Sequence, residues 1–308
     1  MGRPARLIPL RRFLAGDFDR GGGGRGAVIV GGVEVPLRSA RTLRSLSPED
    51  FSLETTTVWS FLDRGDWATH TGNYRGNWSP YIPRNLILRY TKPGDVVLDP
   101  MLGGGTTLVE CKLLGRNGIG VDVNREALMV AFDRLNFPYR PLDEDYVKPS
   151  LDLFHGDARH LDLIKDEAVD LVATHPPYAG IIKYTGERVE GDLSSLKFPA
   201  FLEGMRQVAA EAYRVLKPGK HCTILIGDTR QHRHYVPIST RVLQQFLDVG
   251  FILREDIIKV QHKMKSTREQ WSGSKYDFYL IYHEHLYVFR KPAEGEKVSD
   301  YRNSVKWW

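Results

Sequence analysis

Only two cysteines, Cys111 and Cys222, occur in the 308 residues of the chain. They are too few and too far apart for a disulfide framework or a thiolate metal cluster, and this scarcity points to a reducing compartment. Also missing is any apolar run as long as a signal peptide or a membrane span, so the expectation is a cytoplasmic protein without a membrane partner. Neither charge sign dominates: 43 Lys plus Arg stand against 38 Asp plus Glu, a formal net charge of +5. That balance permits a polyanionic partner without requiring one. No internal repeat is visible. A hydrophobic fraction of 42% and a charged fraction of 26% exclude the disordered class and leave an ordinary globular chain. Its length accommodates one large domain with elaborations.

What is present is unevenly spread. Arg3, Arg6, Arg11, Arg12, Arg20 and Arg25 face only Asp17 and Asp19 among acids, which reads either as a phosphate-contacting arm or as a solvated terminus. Ala27 to Leu37 reads as a small hairpin around Gly31-Gly32. Ser47, followed by Pro48, Glu49 and Asp50, predicts the start of a short helix. Trp59, Trp67, Tyr74, Trp78 and Tyr81 mix with Gly and Arg in an ordered loop region that leads into a helix over 84–90. Within it, Asp66 to Arg75, with Trp67, His70, Tyr74 and Arg75, reads equally as a cover over a ligand or as core.

From Val96 onward strand and helix signals alternate. Strands are expected at Val96 to Leu98, Gly118 to Val121, near Leu151 to His155, Val169 to Ala173 and Cys222 to Gly227. Helices are expected at Thr107 to Leu114, Glu126 to Leu135, Phe198 to Val215 and near Thr240 to Val249. Ile252 to Lys259 and Phe278 to Phe289 read as closing strands, the second broken at His283-Glu284-His285. This rhythm predicts an α/β fold, a mostly parallel sheet with helices on both faces.

In such a sheet ligands sit beyond the carboxyl ends of the strands. The first strand ends in Asp99-Pro100-Met101-Leu102-Gly103-Gly104-Gly105-Thr106-Thr107, where glycines let backbone approach a ligand and free N–H groups open a helix. Asp122 follows the second strand at the spacing at which an acid reaches ribose hydroxyls. Asp157 follows the third and is placed to meet an adenine edge. Together these residues read as a nucleoside-type cofactor site. A nicotinamide dinucleotide fits less well, since the turn lacks a spaced G-x-G-x-x-G.

The fourth strand ends in Thr174-His175-Pro176-Pro177-Tyr178. Two consecutive prolines remove two N–H donors and fix a carbonyl-rich loop suited to accepting hydrogen bonds from an amino group. At these residues the chain resembles the DNA amino methyltransferases, whose hallmark is a polar residue, Pro-Pro and an aromatic. The run Val97 to Thr107 resembles that family's cofactor loop, and so does its approach through Pro83, Leu86, Ile87, Tyr90, Lys92, Pro93, Gly94 and Asp95. The resemblance extends from Asn77 to Lys291, ending in His285-Leu286-Tyr287-Val288-Phe289-Arg290-Lys291, with the cofactor loop first and the catalytic loop second, as in the γ-type order.

The resemblance implies a Rossmann-like S-adenosylmethionine-dependent methyltransferase fold with an antiparallel closing strand. Residues 51–295 would be the catalytic domain, 1–50 a basic extension with the small hairpin, and 296–308 a tail. It implies S-adenosylmethionine as cofactor, held by Asp99, Pro100, Gly103, Gly104, Gly105, Thr106, Thr107, Asp122 and Asp157. His175, Pro176, Pro177 and Tyr178 would be catalytic: the Pro176 carbonyl and the His175 side chain accept from the amino hydrogens, and Tyr178 stacks on an extruded base. His175 departs from the Asp, Asn or Ser usual at that place, and a neutral imidazole there inclines the reading to cytosine N4 over adenine N6. His175 could also take up the released proton. DNA is the expected partner, with RNA the alternative; a restriction or specificity partner is a further expectation, and the sequence is silent on oligomeric state. A third reading is a nucleic-acid-binding protein that keeps the cofactor site without turnover. The basic stretch Lys259 to Lys275, with Lys263, Lys265, Arg268 and Trp271, suits a loop over a nucleic-acid backbone. His221, His232, His234, His262, His283 and His285 show no ligand spacing, so no metal is expected.

Overall fold

The structure is a computed structural model that describes residues 7–9, 26–30, 32–37, 43, 45–74, 76–141, 146–178, 191–262 and 277–305. Its strands are β1 (Ile8–Pro9), β2 (Ala27–Val30), β3 (Val33–Pro36), β4 (Val58–Ser60), β5 (Val96–Asp99), β6 (Asn117–Asp122), β7 (Leu151–His155), β8 (Val169–Thr174), β9 (Leu216–Ile226), β10 (Thr229–Gln231), β11 (His234–Val236), β12 (Ile252–Val260) and β13 (His283–Arg290). Its α-helices are α1 (Tyr81–Tyr90), α2 (Thr106–Leu114), α3 (Arg125–Leu135), α4 (Phe198–Val215) and α5 (Ile238–Val249).

Among the described residues one sheet runs in the order β1-β7-β6-β5-β8-β9-β13-β12-β4. β7, β6, β5, β8 and β9 are mutually parallel, and β13 runs antiparallel to both its neighbours, β9 and β12. The antiparallel closing strand is therefore β13.

The central strands read as near-continuous apolar runs because both faces are covered, and alternation of side chains divides each run between two cores. Val97, Leu171, Ala173, Leu225, Leu286 and Val288 face Ile82, Leu86 and Ile87 of α1. Leu98, Val172, Cys222, Ile224, Ile226, Tyr287 and Phe289 face Phe201 and Met205 of α4 and Val242 and Phe246 of α5. Each such fully buried side chain contributes about 1.5–3 kcal/mol. The helices are stopped by local chemistry: Gly115 and Gly250 cap α2 and α5 in the left-handed region, and Asn124 opens α3 by accepting from the Glu126 and Ala127 amides. The β2–β3 hairpin sits where Gly31-Gly32 predicts it and packs Val28, Val30 and Val35 against Ala127 and Val130 of α3.

Three local expectations fail. The stretch after Ser47 forms bends and no helix; Phe51 to Thr57 has no apolar stripe at helical spacing, and the Glu54 amide instead donates to Asn85 Oδ1 at 2.7 Å. Trp59 lies in β4, an edge strand parallel to β12, because a partner some 200 positions away (Ser60 Oγ lies 2.9 Å from His262 Nε2) supplies pairing that local sequence cannot announce. His283-Glu284-His285 does not interrupt the last strand but begins it. These polar residues are tolerated there because Glu284 pairs with Lys259 and His285 with Asp256, both on β12.

Candidate active site

The carboxyl ends of β5, β6, β7 and β8 open into one cleft, the place where ligands of open α/β sheets bind. Of the residues expected there, Asp99, Pro100, Gly103, Asp122, Asp157, His175 and Pro177 line it. Gly104, Gly105, Thr106, Thr107, Pro176 and Tyr178 are not part of the lining. Thr107 instead donates to Asp99 Oδ2 at 2.5 Å, and Thr174 at the end of β8 donates to Asp99 Oδ1 at 2.8 Å. Asp99 thus ties the glycine loop to the end of β8, and burial raises its pKa to about 6 against the lowering effect of these bonds.

The loop takes its shape from glycine at two places. Gly105, at φ +84°, caps α2, and a Cβ there would stand 2.9 Å from Ala131 Cβ on α3. Gly103, at φ +54°, faces the Tyr74 ring, which a Cβ would meet at 3.2 Å. Asp122 Oδ2 accepts from the Gly103 amide at 2.7 Å and Oδ1 from the Asn124 amide at 2.8 Å. Withdrawal from water raises its pKa also to about 6. Asp157 is held by Arg159, whose Nη2 lies 2.6 Å from Oδ2. Gly191 closes over this pair; its Cβ would come within 2.8 Å of Asp157 Oδ2.

Several cleft residues carried no sequence expectation of a ligand contact: Asn77, Asn124, Asp192 and Leu193. Asn124 was discernible as a helix cap two residues after Asp122. Asp192 follows no strand, and nothing in its neighbourhood marks it. The stretch Asp66 to Arg75 divides between its two readings. Trp67 and His70 turn inward, where Trp67 Nε1 and His70 Nε2 each lie 2.7 Å from Glu110 Oε1, whereas Tyr74 reaches the cleft. Arg75 lies outside the described residues.

The other wall carries a hydrogen-bonded chain of side chains. His175 stacks on Trp78 at 6.1 Å between ring centroids. Its Nε2 lies 2.9 Å from the Tyr178 hydroxyl, which donates to Glu284 Oε1 at 2.7 Å, and Glu284 Oε2 pairs with Lys259 Nζ at 3.0 Å. A carboxylate only accepts, so Tyr178 donates to Glu284 and receives from His175, which places the imidazole hydrogen on Nε2. His175 Nδ1 is buried without a hydrogen bond. Burial lowers the His175 pKa, against the raising influence of Glu284, so the ring is neutral near pH 7. Burial opposes ionisation of Glu284, but the Lys259 charge foremost brings its pKa down to about 2. Gly227 makes room for the chain: a Cβ there would meet Glu284 Cγ and the Tyr178 hydroxyl, each at 3.3 Å.

Lys263, Lys265, Arg268 and Trp271, and the six arginines before Gly26, lie outside the described residues. Among the described residues no helix is long and apolar enough to cross a membrane, and no group of three metal-ligating side chains is gathered.

A mostly parallel sheet, reversed at β13 and at the short edge strand β1, with a glycine loop and strand-end acids around its cleft, is a Rossmann-like α/β fold, the architecture expected of the methyltransferases. The chain belongs to the DNA methylase family, whose family model matches residues 33–133 and 169–306, more than half of its length. S-adenosylmethionine is accordingly its cofactor, and the glycine-lined cleft with its half-buried Asp122 fits that ligand. The chain is 31% identical over 113 residues to the Type II methyltransferase M.HpaI of Haemophilus parainfluenzae, covering 34% of this chain and 32% of that one. It is 50% identical over 70 residues to the Type II methyltransferase M2.LlaDCHI of Lactococcus lactis subsp. cremoris, covering 23% and 25%. It is 32% identical over 149 residues to the tRNA (guanine(10)-N2)-dimethyltransferase of Methanothermobacter thermautotrophicus, covering 48% and 40%. The matches thus span between a quarter and two fifths of these relatives' length.

Proposed function

We propose that the protein methylates the exocyclic amino group of a base in DNA, with cytosine N4 preferred to adenine N6, and that it works with a restriction or specificity partner. The observation that carries this reading is the juxtaposition of the Pro176-Pro177 loop and a neutral His175 with the cofactor cleft. Asp122 would accept from the ribose hydroxyls of S-adenosylmethionine, Asp157 would meet the adenine edge, and the Gly103 to Thr107 turn would face the amino-acid end. Bound there, the cofactor supplies an electrophilic methyl group.

The amino group of a nucleobase is a weak nucleophile because its lone pair is delocalised into the ring. Accepting both its hydrogens draws the lone pair out of that plane, and we assign one to the Pro176 carbonyl and the other to His175 Nδ1. The place of His175 and Pro177 together in the cleft lining supports this assignment. A proton shed by the methylated amino group would make His175 an imidazolium, which Glu284, with Oε1 4.0 Å from Nε2, stabilises. Tyr178, fixed by its hydroxyl, is assigned to stack on the base, and positioning of this kind supplies much of the rate.

A second reading, methylation of an RNA base amino group by the same chemistry, is favoured by the similarity to a tRNA guanine-N2 dimethyltransferase. The test is incubation with labelled S-adenosylmethionine and separate DNA and RNA pools, digestion to nucleosides and identification by mass. N4-methylcytosine in DNA is the expected product; N6-methyladenine corrects the base, and label confined to RNA transfers the substrate.

A further inference from the structure

Beyond the end of β9, after Gly227 and Asp228, the chain turns back on itself as the β10–β11 hairpin. Gln231 pairs with His234, so the turn consists of His232 and Arg233, both left-handed at φ 50° and 68°. Two-residue turns with positive φ at both positions suit the twist of a hairpin and are normally filled by Asn and Gly. A side chain with a Cβ costs roughly 1–2 kcal/mol at each. Among the described residues Gln231 to Tyr235 are all exposed, and the turn is met only at its carbonyls, with Arg230 Nη1 donating to Arg233 O at 3.3 Å and His234 Nδ1 lying 2.9 Å from His232 O.

The base of the hairpin, by contrast, is braced. Asp228 accepts from both the amide and the hydroxyl of Ser239 at 2.7 Å, and from the Tyr235 hydroxyl. The Arg230 guanidinium lies 5.7 Å from the Tyr235 ring centre and 4.8 Å from that of Phe278, and donates to the Tyr279 carbonyl at 2.7 Å. A firm base therefore holds a strained tip in solvent. From Thr229 to Val236 the hairpin has Arg230, His232, Arg233 and His234 and no acid. The acid facing Arg233 is Asp277, at 4.0 Å with both side chains largely exposed, a pairing worth little in water. Tyr279, 91% exposed, adds an aromatic surface beside it. The hairpin follows the carboxyl end of β9, on the side of the sheet where the cleft opens, and a Cβ on Gly227 at its root would lie 3.3 Å from the Tyr178 ring.

We propose that the β10–β11 hairpin is a DNA-contacting element that enters the groove beside the target base, with Arg233 and His232 meeting the phosphate backbone. The inference rests on the reading of DNA as substrate. A two-stranded ribbon fits a major groove about 12 Å wide, and cations interleaved with exposed tyrosine are the composition of a nucleic-acid surface. This would explain why strained His and Arg stand where Asn and Gly fold better.

The test is the double variant His232→Asn/Arg233→Gly, which gives the turn the residues it prefers while removing the cation, so folding is preserved or improved. Melting temperature and S-adenosylmethionine affinity are controls, read beside duplex-DNA affinity by fluorescence anisotropy over a salt series. Expected are unchanged cofactor binding, an unchanged or raised melting temperature, DNA affinity lower by about tenfold, and a salt slope shallower by about 0.9 for one lost phosphate contact. If the wild type methylates DNA and the variant keeps its full affinity and slope, the hairpin assignment is overturned while the function stands. If the wild type labels RNA alone, the DNA reading fails and the assignment to DNA fails with it.

Discussion

The two walls of the cleft hold carboxylates in opposite states. On the cofactor side Asp99 and Asp122 are raised to about 6 by burial that no cation offsets. On the base side Glu284, just as deeply placed, is held near 2 by Lys259. The first wall is assembled from loops that each follow their own strand, with acids that answer mainly to backbone amides and hydroxyls. The second is assembled from β8, β12 and β13, and its central bond joins Tyr178 and Glu284 across 106 positions. Under the proposed function the contrast has a use: acids that accept hydroxyl hydrogens can stay poised near neutrality, whereas a buried imidazole that receives a proton needs a fixed negative charge nearby.

If the walls are separable, damage to one should spare the other. The largest effect is expected at the cofactor loop, where Gly105→Ala forces a Cβ against Ala131 at a left-handed residue. We expect a loss of about 3 kcal/mol in chemical denaturation, together with loss of cofactor binding by calorimetry, from combined overpacking and backbone strain. Unchanged cofactor affinity would mean that the loop does not need its left-handed corner. Next is Glu284→Gln, which leaves the partly buried Lys259 without its counter-charge. It should cost about 3 kcal/mol of stability and lower single-turnover methylation about a hundredfold, with cofactor affinity intact in the folded fraction. Tyr178→Phe is gentler, since it deletes only the bridging hydroxyl. A drop of about tenfold in turnover matches one lost hydrogen bond to a charged group, and an accompanying loss of cofactor affinity would erase the distinction between the walls.

The same contrast explains what the sequence alone could disclose. α4 spans Phe198 to Val215, the bounds that local patterning dictates, because it buries a stripe of Phe201, Met205, Val208, Ala209, Ala212 and Val215; β7, over Leu151 to His155, also keeps its expected bounds. The cofactor wall was legible for a similar reason: a glycine run and acids at strand ends keep their meaning within a dozen residues. Glu284 reads locally as part of a break in the last strand and Lys259 as the end of a strand and the start of a basic stretch, since only the antiparallel pairing of β12 with β13 sets Lys259 opposite Glu284. The β10–β11 hairpin escaped because its turn uses His-Arg instead of Asn-Gly. Gly104 to Thr107 are outside the cleft lining, and two of them also shape the loop, Gly105 against Ala131 and Thr107 on Asp99, a contribution that spacing cannot express.

The smallest effect tests the poised acid itself. Ionised Asp122 accepts hydrogens at both oxygens, whereas its protonated form presents a hydrogen where a ribose hydroxyl must donate. With a pKa of about 6 it is mostly ionised at neutral pH and increasingly protonated below, so cofactor affinity should fall on acidification through pH 6. Calorimetric titration should show a decline of about tenfold per pH unit below that value, the limit for one linked proton. Asp122→Asn should bind more weakly at neutral pH and largely lose this dependence. Asp99 has a similar pKa but gives its oxygens to Thr107, Thr174 and Met101, so a slope that survives Asp122→Asn in full would transfer the linkage to Asp99 and show that the loop, not the ribose contact, is what acid disturbs.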